Sequence, residues 1–320
     1  MSDRLNLVVL DGYAMNPGDL DWVPLQAIAE VTLFDRSTSV EAVERAKDAD
    51  IVLVNKTALP APVLDQLPKL KCVCVSATGT IVIDHFEATA RNITICNVPA
   101  YSTPSVVQMV FAHLLHFTQQ VARHNELVTQ GAWRAQPDFC FWESPLSELQ
   151  GKTFGIIGLG QIGTAVAQVA LAFGMNVIAT RHSATEMPEG ITRVDQTTCF
   201  NEADVLSLHC PLTAETNQLI CKETLALMKP SLILINTGRG QLINEAELAG
   251  ALNAGQIAGA GLDVLTEEPH EEGNPLVRAK NCVITPHIAW ATKAARQRCL
   301  DVSVENAQAF IRGTPKNVVG

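Results

Sequence analysis

The sequence predicts an α/β protein made of two doubly wound domains, each a parallel sheet with helices on both faces. The chain has 320 residues, which suits two domains of about 100–200 residues each and predicts a cleft between them. Its composition, with 47% hydrophobic and 18% charged residues, is typical of packed globular proteins. Short apolar runs alternate with segments of helical pattern, and this alternation favours parallel sheets.

The first hundred residues contain short β-rich runs separated by segments that can be helical, such as 40–47. Because strands that alternate with helices form sheets covered on both faces, this region predicts the first doubly wound domain. Its predicted strands are residues 5–10, 31–34, 50–54, 72–75 and 93–96.

A long amphipathic helix is predicted next. Thr103 and Pro104 supply a cap and a first-turn proline, and apolar residues recur at steps of three and four from Val107 to Val121. We expect this helix to continue until Gly131 and to carry His113, His116 and His124 on its surface or at an interface.

A second alternation begins at Gly151 and predicts the second doubly wound domain. After Trp290 a further helical stretch runs to Phe310, so two long helices bracket this domain in the sequence. We therefore expect the last helix to return to the first domain. The predicted strands are residues 153–157, 176–180, 205–208, 232–235, 258–263 and 282–285.

A glycine-rich loop follows the strand at 153–157, in the sequence TFGIIGLGQIG, and opens a helix. Gly158 makes the tight turn, Gly160 lets the backbone approach a pyrophosphate, and Gly163 lets helix and strand pack closely. The amino terminus of the helix then faces the anion with free N–H groups. This context predicts a Rossmann nucleotide-binding domain.

The residue after the next strand indicates which nucleotide is preferred. In NAD-selective sites, an acidic residue about 20 positions beyond the loop accepts the ribose hydrogen bonds. Here Arg181 follows the strand, and the first acidic residue is Glu186. Because a guanidinium attracts a 2′-phosphate, NADP(H) is favoured. NAD(H) stays possible if Arg181 only stacks on adenine or is solvated.

Three later segments each place a polar side chain after a predicted strand: NTGRG at 236–240, LDVLTEEP at 262–269 and TPHIAW at 285–290. The carboxyl ends of parallel strands meet at one crevice, so these side chains can converge. Arg239 can bind a substrate carboxylate and polarise the adjacent carbonyl. His287 can donate a proton near neutral pH, and Glu268 can orient it. Together they suit the reduction of a 2-oxo acid.

Neighbouring residues offer competing assignments. Glu267 precedes Glu268 but is expected to be solvated, and His270 has acidic neighbours that predict an exposed loop. Cys210 beside His209 suggests a thiol nucleophile, although a structural place near the nucleotide is favoured.

These segments resemble the signatures of the D-isomer-specific 2-hydroxyacid dehydrogenases. The similar second-domain segments are GLGQIG at 158–163, HCPLTAET at 209–216, MKP at 228–230, INTGRG at 235–240, GLDV at 261–264, EP at 268–269 and TPHI at 285–288. In the first domain, ATG at 77–79 and NVPAYS at 97–102, with DFCFWE at 138–143, resemble most the glycerate dehydrogenase/hydroxypyruvate reductase branch.

The resemblance implies an NAD(P)H-dependent reductase of a small 2-oxo acid, hydroxypyruvate or glyoxylate, with Arg239, Glu268 and His287 in the catalytic positions. It also implies that backbone amides near the first-domain loop hold the substrate carboxylate. Trp290, three residues after His287, can either wall the active site or fill the domain junction. The implied carboxylate-binding loop comprises Ala77, Thr78 and Gly79. The expected nucleotide contacts beyond the glycine loop are Gln161, Ile162, His209, Cys210, Pro211, Thr216, Thr237, Gly238, Asp263 and His287.

The resemblance further implies a Rossmann domain, residues 102–290, inserted into a flavodoxin-like substrate domain, residues 1–101 plus 291–320, in a homodimer. Two alternative functions remain open. One is a dehydrogenase for phosphoglycerate or a bulkier 2-oxo acid, and the other is a nucleotide-sensing co-repressor, which the lack of a basic or low-complexity extension disfavours.

Composition disfavours several partner classes. The net charge of −10 repels nucleic acid and anionic membranes. No apolar run approaches the roughly 20 residues of a membrane span, and residues 5–10 lack the pattern of an export signal. The nine cysteines contain no C-x-x-C, so we predict neither a metal site nor disulfides, and a cytoplasmic location.

Overall fold

The computed structural model describes residues 4–181 and 186–320. The chain forms two compact units, one of Met1–Ser102 with Trp290–Gly320 and the other of Thr103–Ala289. Each unit contains one parallel sheet with helices, which confirms the predicted fold class. No helix within the described ranges has both the length and the apolar character that crossing a membrane requires.

The first unit has a five-stranded sheet in the order β2-β1-β3-β4-β5, the flavodoxin-like order. With elements numbered along the chain, its strands are β1 (Asn6–Val9), β2 (Glu30–Leu33), β3 (Ile51–Val54), β4 (Cys72–Val75) and β5 (Thr94–Cys96). Its helices are α1 (Val23–Ile28), α2 (Ser39–Ala46), α3 (Ala61–Leu64), α4 (His85–Ala90) and α11 (Lys293–Ile311).

The second unit has a seven-stranded sheet in the order β12-β11-β10-β9-β6-β7-β8, in which the strand order reverses next to β6 as in a Rossmann domain. Its strands are β6 (Thr153–Ile157), β7 (Asn176–Thr180), β8 (Ile191–Arg193), β9 (Val205–Leu208), β10 (Ile233–Asn236), β11 (Gly259–Leu262) and β12 (Cys282–Ile284). Its helices are α5 (Thr103–Gln119), α6 (Val121–Thr129), α7 (Gln161–Ala172), α8 (Gln196–Glu202), α9 (Lys222–Leu225) and α10 (Glu245–Ala254), with 3₁₀ turns at Gly240–Leu242 and Pro275–Arg278.

Strands β3 and β4 show why the predicted runs are almost continuously apolar. Every residue of both strands is buried, and alternate side chains enter two different hydrophobic clusters. One cluster contains Val52 and Val73, and the other contains Ile51 and Cys72. A sheet with helices on both faces needs apolar side chains at every position, so the strict alternation of a half-exposed strand is absent here.

The predicted single helix from Thr103 to Gly131 is wrong in one respect, since it breaks at Gln120, where φ is 50°. The Gln120 side chain both donates to and accepts from the Ser144 hydroxyl, at 2.8 and 3.0 Å, which holds the break in place. The surface or interface placement of His113 is also wrong, because its side chain is buried within the second unit. Strand β8 was not predicted, since only Ile191 of its three residues is buried.

Candidate active site

The glycine loop joins β6 to α7 through a turn that only glycine fits. Gly158 has a φ of +95°, and a Cβ there would lie 2.5 Å from the backbone nitrogen of Cys210. A Cβ at Gly163 would lie 2.4 Å from the Gly158 carbonyl oxygen. The helix therefore packs directly on the turn, and the loop after β9 lies against it.

The amino terminus of α7 is open. Gly160 is the N-cap residue and provides no side-chain cap, and a Cβ built on it meets no atom within 4 Å. The first N–H groups of the helix, beginning at Gln161 and Ile162, have no acceptor within the helix itself. This end of α7 thus offers donors and a positive dipole end to an anion.

A second feature fits a nucleotide. The Thr237 hydroxyl oxygen is buried and has no hydrogen-bond partner among the described residues. Beside it, Asn236 folds the turn after β10, because its side chain accepts from the Gly238 N–H at 3.0 Å and donates to the Arg239 carbonyl at 2.8 Å. A glycine cradle, an uncapped helix and an unpaired buried hydroxyl are what a dinucleotide with a pyrophosphate and polar edges would use.

Substituting Gly160 tests this cradle. We expect Gly160→Ala to weaken nucleotide binding at least tenfold while leaving the melting temperature unchanged, because the added methyl meets no protein atom but enters the space of the pyrophosphate. Fluorescence titration measures the binding. The matched control is Gly250→Ala in α10, where a Cβ also meets nothing within 4 Å and nucleotide affinity should not change. Equal affinity in both variants would contradict a pyrophosphate at Gly160.

The loop after β9 places two titratable side chains near the glycine turn. The backbone N–H of His209 donates to the Ile157 carbonyl at 2.8 Å, and the ring Nε2 of His209 lies 2.8 Å from the Ser207 hydroxyl oxygen. Burial lowers the pKa of His209 to about 4, so the ring is neutral near pH 7 and unsuited to supply a proton. Burial raises the pKa of the Cys210 thiol, which argues against a thiolate nucleophile.

Further along this loop, Thr216 stabilises a turn. Its hydroxyl donates to the Pro211 carbonyl at 2.7 Å and accepts from the Thr213 N–H at 2.7 Å. The hydrogen bonds of its side chain thus lie within the segment 211–216. Its predicted nucleotide contact stays a prediction.

The ends of β10, β11 and β12 are in register, with Asn236 paired to Leu262 and Leu262 paired to Ile284. Arg239, Glu268 and His287 lie on the loops that follow these three strands, so all three leave the same edge of the sheet. The structure therefore brings the three predicted catalytic residues to one side of the unit.

Glu268 and His287 are in direct contact. The His287 Nδ1 lies 2.6 Å from the Glu268 Oε2, and the other carboxylate oxygen accepts from the Leu265 N–H at 3.1 Å. Because a carboxylate only accepts, Nδ1 carries the proton and Nε2 is the ring nitrogen left for a substrate. Both side chains are partly exposed, at 29% for His287 and 36% for Glu268.

Arg239 has an exposed side chain whose Nη1 donates to the Gly238 carbonyl at 2.7 Å. The next residue, Gly240, packs on the loop that leads to Glu268, since a Cβ there would lie 1.9 Å from the Leu265 carbonyl carbon. The turn that carries Arg239 and the loop that carries Glu268 are therefore in van der Waals contact.

Asp263 lies beneath His287, and its side chain is completely buried. One carboxylate oxygen accepts from the Ala289 N–H at 2.7 Å, and the other accepts from the Thr285 hydroxyl at 2.5 Å and the Ile288 N–H at 2.9 Å. The sequence predicts that Asp263 contacts the nucleotide, and this stays a prediction. In the structure its carboxylate binds the loop 285–289, which carries His287. The segment TPHI at 285–288 indicates a site at His287, but nothing in its sequence predicts that Thr285 binds Asp263.

Arg181, the residue proposed to select the nucleotide, follows β7 directly, and its Nη1 donates to the Glu186 carbonyl at 3.2 Å. The intervening residues 182–185 lie outside the described ranges. The competing residues Glu267 and His270 are both exposed, which confirms the expectation that they are solvated.

The first unit contains the remaining predicted substrate residues. The loop after β4 is tied to the residues after β5, with the Thr78 hydroxyl donating to the Val98 carbonyl at 2.9 Å and the Val98 N–H donating to the Ala77 carbonyl at 3.0 Å. Thr78 and Gly79 are exposed. Trp290 packs edge-on against Tyr101, with ring centroids 6.4 Å apart.

A Rossmann sheet with an open glycine loop, and an Arg, Glu and His set at the carboxyl edge of its strands, define the class of nicotinamide-dependent dehydrogenases. Comparison with known proteins gives the family. Residues 111–289 match the model described as "D-isomer specific 2-hydroxyacid dehydrogenase, NAD binding domain". The chain belongs to the D-isomer-specific 2-hydroxyacid dehydrogenase family and is an NAD(P)-dependent oxidoreductase.

Individual relatives agree with this assignment. The chain is 45% identical to a hydroxypyruvate reductase from Blautia hydrogenotrophica, over 98% of this chain and 99% of the relative. It is 41% identical to a glycerate dehydrogenase from Methylorubrum extorquens, over 88% of this chain and 89% of the relative. A solved acyclic imino acid reductase in complex with NADPH and D-Arg superposes with a TM-score of 0.86 at 32% identity, covering 99% of this chain and 100% of that one.

Proposed function

We propose that the protein reduces small 2-oxo acids, hydroxypyruvate to D-glycerate and glyoxylate to glycolate. The observation that carries this proposal is the His287–Glu268 pair at 2.6 Å, on the same sheet edge as Arg239 and in the unit that holds the glycine loop. The names of the hydroxypyruvate reductase and glycerate dehydrogenase relatives support the choice of substrate.

Arg239, His287 and Glu268 would have separate roles in this reduction. When bound, the reduced nicotinamide supplies a hydride for the keto carbon. Arg239 binds the substrate carboxylate and polarises the adjacent carbonyl with a charge that is always present. His287 donates a proton from Nε2 to the developing alkoxide, and Glu268 holds Nδ1–H and stabilises the positive ring before transfer.

We assign nucleotide binding to residues 102–290 and substrate binding to residues 1–101 plus 291–320. In the substrate domain, the backbone amides of the loop 77–79 would bind the carboxylate of the 2-oxo acid. Trp290, at the end of the nucleotide-binding range, would contact the rest of the acid. The exposure of Thr78 and Gly79 supports this assignment.

For the nucleotide, we propose that NADP(H) is preferred because Arg181 stands where an acidic residue would repel a 2′-phosphate. We expect Arg181→Ala to raise KM for NADPH about tenfold or more and leave KM for NADH within about twofold, since a charge-assisted contact to one phosphate is lost. The control is Arg312→Ala, an exposed arginine at the end of α11. A strong NADH preference that persists in Arg181→Ala would contradict the proposal.

A panel of 2-oxo acids assayed with both nucleotides tests the substrate. We expect the highest kcat/KM with hydroxypyruvate or glyoxylate. A higher kcat/KM with phosphohydroxypyruvate or a bulky 2-oxo acid would favour the alternative dehydrogenase. Nucleotide binding without turnover of any acid in the panel would favour the co-repressor alternative.

We also propose that the protein is a homodimer. Helix α6 has no buried residue, and several large apolar side chains between 121 and 142 are exposed, as is typical of a surface that contacts a partner. They are Val121, Val128, Trp133, Phe139 and Trp142. Analytical ultracentrifugation would measure the mass, and a monomer at micromolar concentration would contradict the dimer.

We propose a cytoplasmic location because all nine cysteines are free thiols, which is typical of proteins in a reducing compartment. The net charge of −10 disfavours nucleic acid and anionic membranes as partners. Subcellular fractionation tests the location, and recovery in a secreted or membrane fraction would contradict it.

A further inference from the structure

We propose that His113 and Thr285 are positioning residues that act through Asp263 to fix the backbone of the loop carrying His287. The inference rests on the proposed role of His287 as proton donor. It concerns buried and half-buried polar groups that take no part in the reaction described above.

The His287 backbone needs external support. Its φ is 53°, in the left-handed region that a residue with a side chain seldom adopts, and such a conformation persists only where its surroundings hold it. Its N–H donates to the Asp263 carbonyl at 2.8 Å and to the Thr285 carbonyl at 2.9 Å. The next two N–H groups, of Ile288 and Ala289, both donate to the Asp263 carboxylate. The conformation of the loop thus depends on where that carboxylate lies.

The Thr285 hydroxyl also binds this carboxylate, at the oxygen that accepts from the Ile288 N–H. Its hydroxyl has one proton, and the contact with Asp263 at 2.5 Å requires Thr285 to donate, because a carboxylate can only accept. The hydroxyl oxygen is then an acceptor, and the His113 Nε2 lies 3.2 Å from it. The directions of these bonds require a proton on the His113 Nε2, so a defined chain of donors runs from His113 through Thr285 to Asp263.

The side chain of His113 is tightly packed. The side chain is 3% exposed, and a Cβ at Gly261 of β11 would lie 2.7 Å from the His113 Cβ. Burial lowers the pKa of His113, which the Asp263 carboxylate partly opposes, so a neutral ring with Nε2–H is the form present near pH 7. A buried imidazole is costly unless it is hydrogen-bonded, and at this position a leucine would fill a similar volume without that cost. The bond to Thr285 is what the histidine adds.

Two pairs of variants separate positioning from packing. Thr285→Val removes the donor and keeps the volume, whereas Thr285→Ser keeps the donor. His113→Leu removes the Nε2–H, whereas His113→Gln can present an amide N–H near the same point. We expect Thr285→Val to lower kcat about 10- to 100-fold and His113→Leu about fivefold to tenfold, because a small displacement of the proton donor is enough for such losses. KM for the 2-oxo acid and Kd for the nucleotide should stay within about twofold.

The conservative variants decide the interpretation. Thr285→Ser and His113→Gln should recover at least half of the wild-type kcat, and nucleotide titration of every variant counts the folded sites so that turnover is expressed per site. If Thr285→Ser were as slow as Thr285→Val, the loss would reflect packing and the proposal would be wrong. It would also be wrong if Thr285→Val and His113→Leu both kept the wild-type kcat.

His287→Gln, assayed in parallel, keeps the two proposals distinguishable. If His287→Gln kept its turnover, the proton-donor role itself would fail and the positioning proposal with it. If His287→Gln were inactive while the network variants were unimpaired, only the positioning proposal would fail.

Discussion

Replacing His287 with Gln is expected to lower kcat about 100- to 10,000-fold, the range that a positioned general acid supplies. Glutamine keeps a polar side chain of similar length, but its amide does not release a proton to an alkoxide. The nucleotide should still bind, because the glycine loop and the open end of α7 lie far from His287 in the sequence and do not depend on its side chain.

The matched control is His270→Gln. His270 is exposed and lies near Glu268 in sequence, and its Nδ1 is 3.0 Å from the Glu271 carbonyl oxygen. Its substitution should leave kcat within about twofold. Stopped-flow measurement of nucleotide oxidation separates chemistry from product release, and wild-type single-turnover rates in His287→Gln would remove His287 from its role.

Replacing Arg239 with Ala is expected to lower kcat/KM for the 2-oxo acid about 100- to 1000-fold, as for loss of a donor to developing charge. The guanidinium would both bind the carboxylate and polarise the carbonyl, so KM should rise and kcat should fall together. Nucleotide Kd should not change. Arg239→Lys should recover only part of the loss, because an ammonium keeps the charge without the planar fork.

The control for this substitution is Arg278→Ala, at the end of the 3₁₀ turn Pro275–Arg278, whose side chain is likewise exposed. It should behave as wild type in all three parameters. A kcat/KM for Arg239→Ala equal to that of the Arg278 control would mean that another group binds the carboxylate.

Much of the fold could be predicted because its central strands are buried on both faces and their residues are almost continuously apolar. The apolar runs that form β3 and β4 are examples. The glycine loop could be placed because its glycines stand at the required spacing between a predicted strand and a predicted helix, where Gly158 makes the turn and Gly163 lets the helix pack on it. Arg239, Glu268 and His287 could be selected because each follows a predicted strand, and strand ends converge in a parallel sheet.

What the sequence did not indicate depends on contacts between distant residues. His113 binds Thr285, which is 172 positions away in the sequence. The local periodicity around His113 does not show whether its side chain is buried and hydrogen-bonded or lies on a polar face of the helix. The helix break at Gln120 depends on Ser144, which is 24 positions away. The sequence predicts a nucleotide contact for Asp263, and that contact stays a prediction. Its burial beneath the His287 loop could not be predicted, because it depends on the register of β11 and β12.

The most direct test of the proposed reduction is the stereochemistry of the product formed from hydroxypyruvate with NADPH. Chiral chromatography of the complete reaction should give D-glycerate alone, in an amount equal to the NADPH consumed. L-glycerate, a mixture of the two isomers, or NADPH consumption without glycerate would contradict hydride transfer to the keto carbon in a site of this family.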